Sequence, residues 1–265
     1  MLCLPIFVAM KYLLLWTASI LLWSGCQPNK SSSEAISVPV RKVQLEKERY
    51  NVAFLIMDGV YNTELTAPYD IFQHTIFRKG IKAMNTFLVA NTLDPITTFE
   101  GIRLLPDYNY LSDDVPHIDI LVVPSAEHHL DTDLEDKAMI DFVKKVDKTA
   151  LFMTSHCDGA FVLAKAGVLE EVASTTFPSD IAKYREMFPQ LDVRADVLFV
   201  HDGKYITSAG GAKSFEAALY VAELLYGKEI ARGLAKGLVI DWEVAEVPRV
   251  VIEKNESKAS ESRTN

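Results

Sequence analysis

Short apolar runs alternate with amphipathic stretches through the middle of the chain. Residues 52–57 are continuously apolar, as a strand buried on both faces must be. From Thr63-Glu64-Leu65 a helical spacing runs to Phe77, with Pro68 close enough to its start to be tolerated. Residues 87–90 predict a second strand, and 96–105 turn through Glu100-Gly101 as a small hairpin. Residues 118–123 predict another buried strand, followed by a loop and a helix near 134–146. The next strand, 150–153, runs into Thr154-Ser155-His156-Cys157-Asp158-Gly159 and a helix over 160–165. Residues 197–200 and 204–207 pair across His201-Asp202-Gly203 as a hairpin, and Gly210-Gly211 opens a helix over 212–226. The alternation predicts an α/β fold, a mostly parallel sheet flanked by helices on both faces. Ligands in such sheets bind at the carboxyl ends of the strands, and Cys157 stands at one.

The two ends follow a different pattern. Read from Met10, the chain has a positive Lys11, an apolar run over 12–23 and then Ser24-Gly25-Cys26. That order is similar to a bacterial lipoprotein leader in which the cysteine, here Cys26, is acylated, although Trp23 is bulkier than usual at its position. The run is short for a bilayer span, which takes about 20 apolar residues. Residues 1–26 are therefore expected to be a lipoprotein signal segment and 27–48 a polar tether. The folded domain is expected over 49–245, and 246–265 as a disordered tail despite an apolar patch around Val250. The expected location is the cell envelope, with membrane contact through the N-terminal lipid only.

Charge and cysteine content narrow the function classes. The formal net charge is -9 and no basic run occurs, which argues against nucleic acid as a partner because phosphate contacts need clustered Lys and Arg. Of 3 cysteines, Cys3 lies in the leader and Cys26 is the acylation candidate. Cys157 is left alone, without an internal disulfide partner. A lone thiol in an exported protein is open to oxidation unless it is buried or used.

A strand, a sharp turn carrying a nucleophile and a helix make a nucleophile elbow, which needs small residues two before and two after the nucleophile. Ser155 and Gly159 meet that need. The helix N-terminus is expected to favour thiolate over thiol at Cys157. The plainer alternative, a small buried hydrophobe, is what most free cysteines are; the polar neighbours Ser155, His156 and Asp158 weigh against it. Glu127-His128-His129 are adjacent and rarely converge on one ion, so no metal site is expected. Gly210-Gly211 lacks the phosphate-loop patterns and reads as a turn, and no cofactor is implied.

Thr154-Ser155-His156-Cys157-Asp158-Gly159 and the Ala160-to-Leu169 segment after it resemble the elbow of the ThiJ/PfpI superfamily, within the flavodoxin-like, class I glutamine amidotransferase-like fold. Glu64-Leu65-Thr66-Ala67-Pro68 resembles the acidic segment after that fold's first strand, and Thr207-Ser208-Ala209-Gly210-Gly211 its C-terminal pattern. The resemblance covers residues 51–238 and is nearest to isonitrile hydratases and to the amidotransferase-like domains of AraC-type regulators. It implies that Glu64 sits beside Cys157, one of the two holding a proton. A protonated Glu64 would donate to the sulfur. It also implies backbone N–H donors for a ligand or oxyanion at Ser125, Ala126 and Asp158, although Pro124-Ser125-Ala126 replaces the usual Pro-Gly-Gly.

Two departures bear on chemistry. Relatives often carry a His where this chain has Phe177, after Thr175-Thr176, or where it has Asp158. His156 adjoins Cys157, but its side chain is expected to point away from the sulfur. Without a positioned base, protease or glutaminase activity is not expected. Two functions remain: a Cys-dependent hydro-lyase acting on a small molecule, in the manner of isonitrile hydration, or a non-catalytic ligand-binding or redox-sensing domain that signals through a protein partner. The resemblance also implies a homodimer.

Overall fold

The structure is a computed structural model that describes residues 43–112 and 114–253. The leader, Cys26, most of the tether and the last residues of the tail lie outside the described residues. In chain order the elements are β1 (Tyr50–Leu55), α1 (Asn62–Gln73), β2 (Met84–Ala90), β3 (Ile96–Thr97), β4 (Arg103–Leu104), β5 (Tyr108–Asn109) and β6 (Ile120–Val123). Then come α2 (Lys137–Asp147), β7 (Phe152–His156), α3 (Gly159–Lys165), β8 (Ala173–Ser174), α4 (Ile181–Met187) and β9 (Asp192–Val193). The C-terminal part holds β10 (Phe199–Asp202), β11 (Tyr205–Ser208), α5 (Ser214–Tyr226), α6 (Lys228–Gly237) and β12 (Arg249–Ile252).

The eight-stranded sheet has the order β12-β10-β11-β7-β6-β1-β2-β5. Its inner run, β2-β1-β6-β7-β11, is parallel and follows the flavodoxin-like strand order of doubly wound sheets. The β10–β11 hairpin is the antiparallel exception. β1 shows why the apolar run at its start is continuous. Ala53 and Leu55 pack into one buried cluster with α2, α3 and α4, whereas Val52, Phe54 and Ile56 pack into the other with α1, α5 and α6. A period of two with both faces covered leaves no position for a polar residue. Successive strands are added on one side of β1 (β2) and then on the other (β6), so the crevice at the carboxyl ends of β1 and β6 is the switch point where ligands bind in such folds.

Local chemistry sets the element ends. Asp136 accepts from the backbone N–H of Ala138 and Met139 and so caps α2. The helix expected over 63–77 ends at Gln73 and tightens into a 3₁₀ turn over His74–Phe77. Thr75 is responsible: its hydroxyl donates to Phe72 O at 2.6 Å and accepts Met84 N–H at 2.9 Å, turning the chain toward β2. The strand expected over 150–153 is β7, which runs on to His156, so the sheet delivers the chain directly to Cys157. The 246–265 segment is corrected in part, because Arg249–Ile252 forms β12, parallel to β10 at the sheet edge. Its outward residues are only half covered, Val251 being 41% exposed, and an edge strand of that length leaves little alternation to detect. Among the described residues no helix is long and apolar enough to cross a membrane.

Candidate functional site at the elbow

Cys157 takes φ +52 between β7 and α3, a left-handed conformation that costs a non-glycine residue about 1–2 kcal/mol. Neighbouring packing holds it there. A Cβ on Gly159 would come within 2.0 Å of Val123 O, and one on Gly210 within 2.5 Å of Cys157 Cβ. Both positions therefore accept only glycine. The close approach at Gly159 sets the start of α3 on the end of β6. Cys157 N–H donates to Ser208 O at 2.9 Å, which ties the turn to β11.

Glu64, in the first turn of α1, is 5% exposed and reaches the same point. Its Oε2 accepts Ser125 N–H and its Oε1 accepts Gly211 N–H, each at 3.1 Å. Its carboxyl also lies in hydrogen-bonding reach of the Cys157 side chain. Burial raises the Glu64 pKa, and the hydrogen bonds from Gly211, Cys157 and Ser125 pull it back. At Cys157 burial raises the thiol pKa far above its ordinary value, and the Glu64 and Asp158 carboxyls add to the rise. The Ser125 hydroxyl and Asp158 N–H face the sulfur and oppose the rise without reversing it. Both shifts are upward and the larger is at Cys157, which favours a thiol donating to a Glu64 carboxyl that two backbone donors already hold. The direction at Cys157 runs against the expected thiolate, whereas the raised Glu64 pKa is in the sense expected for a protonated carboxyl. Among the described residues no cation offsets the two flanking carboxyls at the sulfur, and α3 is only seven residues long.

The three expected backbone donors separate. Asp158 N–H faces the sulfur, but Ser125 N–H is taken by Glu64 and Ala126 N–H by His129 Nδ1 at 3.2 Å. Residues 125–127 pair with residues 59–61, in the segment between β1 and α1. Tyr61 N–H donates to Ser125 O at 3.0 Å and Glu127 N–H to Gly59 O at 3.1 Å, with a bridge between Val60 and Ala126. Ser125 itself is fully buried, and its Oγ finds no oxygen or nitrogen partner, which leaves the sulfur as the polar atom before it.

The imidazoles near the elbow are structural. His156 points away from the sulfur, and its Nδ1 pairs with Ser208 Oγ at 2.9 Å. His129 is fully buried, with Nε2 2.9 Å from Met57 Sδ. Burial lowers both to about 3, so both are neutral at pH 7. His128 lies outside, 3.3 Å from Asp131, so the adjacent histidines diverge.

Sequence reasoning missed several parts of the site. Thr176 Oγ1 lies 3.0 Å from both Cys157 O and Asp158 Oδ1, clamping the elbow from the side. Asp158 is pushed up to about 7, by burial first and by Asp180 next to it second. Tyr61, its ring 4.7 Å from that of Phe99 and tilted by 33°, has a raised pKa through burial and then through its neighbours Cys157 and Glu64. Thr176 and Asp180 flank Phe177, so the segment around the absent histidine was the one place where a signal existed.

The sequence profile of the DJ-1/PfpI family matches residues 50–224. The chain is 28% identical over 182 residues to an isonitrile hydratase of Pseudomonas putida, covering 68% of this chain and 74% of that protein. It is also 28% identical over 188 residues to the protein dj-1beta of Drosophila melanogaster, covering 71% of this chain and 96% of the relative. The crystal structure of Drosophila DJ-1beta superposes with a TM-score of 0.61 at 22% identity, over 73% of this chain and 100% of that one. That of an AraC family transcriptional regulator from Pseudomonas putida gives 0.61 at 19% identity, over 71% and 99%. Both structural likenesses establish the fold.

Proposed function

Since the chain belongs to the DJ-1/PfpI family, we propose that it is a small-molecule hydro-lyase similar to isonitrile hydratases, with Cys157 as nucleophile and Glu64 as its proton acceptor. The observation that carries this reading is the Cys157 thiol beside a Glu64 carboxylate held by Ser125 and Gly211 N–H. That pair needs no histidine. Sulfur attacks the terminal carbon of an isonitrile as its proton passes to Glu64. Glu64 returns that proton to the same carbon, giving a thioimidate, R–N=CH–S–Cys157. Water then adds to the carbon, with Glu64 relaying a proton from water to nitrogen. The C–S bond breaks as the hydroxyl proton returns to sulfur, releasing an N-substituted formamide and the free thiol. Likeness to an isonitrile hydratase supports the substrate class. Incubation with cyclohexyl isonitrile tests it: one formamide should form per isonitrile consumed, and none with Cys157→Ala. Absence of turnover by the intact protein would sink the reading.

The raised thiol pKa favours a second reading, a non-catalytic ligand-binding domain acting through a protein partner, since a protonated thiol is a poor nucleophile. Saturable ligand binding without turnover would select it. Two features of the sequence extend the proposal. Lys11, the apolar run and Ser24-Gly25-Cys26 support export and acylation at Cys26, which metabolic labelling with a fatty acid should show in the intact protein and not in Cys26→Ala. Family membership supports a homodimer, and a monomer by sedimentation would refute it.

A further inference from the structure

Behind the elbow lies a cavity of about 780 Å³ that does not include the sulfur. Ligand sites commonly fall between about 300 and 1,000 Å³ and have apolar walls with a few placed polar groups. Here the walls include Phe177, Ile181, Leu198, Trp242 and Val247. Two aromatic rings stand out. Trp242 is buried and its Nε1–H is tied to Glu223 Oε2 at 2.9 Å, so its ring carbons are what the cavity meets. Phe177, by contrast, is 39% exposed although it is a large apolar side chain.

The charges at the rim have one sign. Five carboxylates, from Asp196, Glu216, Asp241, Glu243 and Glu246, accompany a single lysine, Lys213. Lys213 is spent on Glu216, and Glu243 is neutralised by Lys228 and Arg232. Asp196, Asp241 and Glu246 line the cavity, are exposed, and form no ion pair among the described residues. An anion entering here would meet three unpaired carboxylates. A cation with an apolar body would meet those carboxylates beside the aromatic side chains of Phe177 and Trp242.

We propose that this cavity is a binding site, separate from Cys157, for a small organic cation with an apolar body, of the alkylammonium or arylalkylammonium class. Its floor gives occupancy a route to the elbow. Thr176 lines the cavity and hydrogen-bonds Cys157 O, and Gly210 lines it while its neighbour Gly211 holds Glu64. The site stands whether or not Cys157 turns over a substrate.

Calorimetric titration of the full chain with benzyltrimethylammonium, benzyl alcohol and benzoate tests it. The ammonium probe should bind saturably, ~10-fold tighter than the alcohol and more tightly still than benzoate. Asp241→Asn combined with Glu246→Gln should weaken the ammonium probe ~5-fold and leave the alcohol unchanged. Both carboxylates are exposed, so the fold should survive. Cys157→Ala should bind the ammonium probe as the unaltered chain does, whatever that variant does to isonitrile turnover. The proposal is overturned if no probe binds, if benzoate matches the ammonium probe, or if Cys157→Ala abolishes binding.

Discussion

On the sulfur side of the elbow each group is packed against another, whereas beyond Phe177, toward Ile181, Trp242 and Val247, the chain leaves a cavity of about 780 Å³. The sulfur side is crowded by backbone: Gly159 against Val123 O, Glu64 between two N–H donors, Ala126 N–H on His129. Its tolerance is for atoms that carry a proton, not for volume. The cavity side is walled by side chains from loops and from the segment after α6, with charge only at its rim. The contrast separates two tasks within one fold. The crowded side holds a strained residue and a shared proton, and the open side offers apolar surface to a molecule of some size.

Substitution at the crowded side should have the largest effects. Gly210→Ala places a Cβ 2.5 Å from Cys157 Cβ at φ +78, and the expected loss is about 3 kcal/mol or more, read as a lower denaturation midpoint. A loss below about 1 kcal/mol would mean that the elbow yields easily and the contrast is false.

Next in size is the pH dependence of stability. Asp158 is raised to about 7 in the folded state, against about 3.9 unfolded. Between those values the folded chain holds more protons than the unfolded one, so stability falls as pH rises from about 4 to about 7. The total is on the order of 4 kcal/mol. Asp158→Asn should flatten that slope in denaturant titrations run across the window. His156 and His129 act in the opposite sense. Their folded values, near 3, lie below the unfolded one, so their contribution is present above about pH 6.5 and is lost as pH falls toward 3. Replacing His156 with Gln should reduce acid lability below pH 6, measured by the same titrations.

Smaller still is the Thr176 clamp. Thr176→Val removes the hydroxyl shared by Cys157 O and the Asp158 carboxyl, at a cost of about 1–2 kcal/mol. On the open side Phe177→Ala should change stability by less than about 1 kcal/mol, because the ring is already 39% exposed. An equal cost for Phe177→Ala and Thr176→Val would erase the distinction between the two sides.

The sheet and its helices were legible because burial on both faces leaves continuous apolar runs such as residues 52–57, and because Ser155, Cys157 and Gly159 mark the elbow in one short segment. Glu64 was legible through resemblance, since no local pattern links it to a cysteine 93 positions later. Proton placement was not legible. It depends on burial and on Ser125 and Gly211 N–H meeting one carboxylate, which are contacts between distant segments. The cavity and β12 were missed for a related reason. Their residues come from loops and an edge strand, where neither a period of two nor one of 3.6 survives. Helix α4, only seven residues long, left too short a run to stand out, whereas α6 carries Ile230, Ala231, Leu234 and Ala235 at helical spacing and was readable but not read.

The central claim is that Cys157 rests as a thiol donating to a Glu64 carboxylate. The pH dependence of Cys157 alkylation in the folded protein, beside that of Glu64→Gln, tests it most directly. The account predicts a midpoint above the ordinary thiol value of about 8.5, falling in Glu64→Gln as one flanking negative charge is removed. A midpoint well below 8.5 that rises in Glu64→Gln would contradict it, and would mean that Glu64 carries the proton and stabilises a resting thiolate.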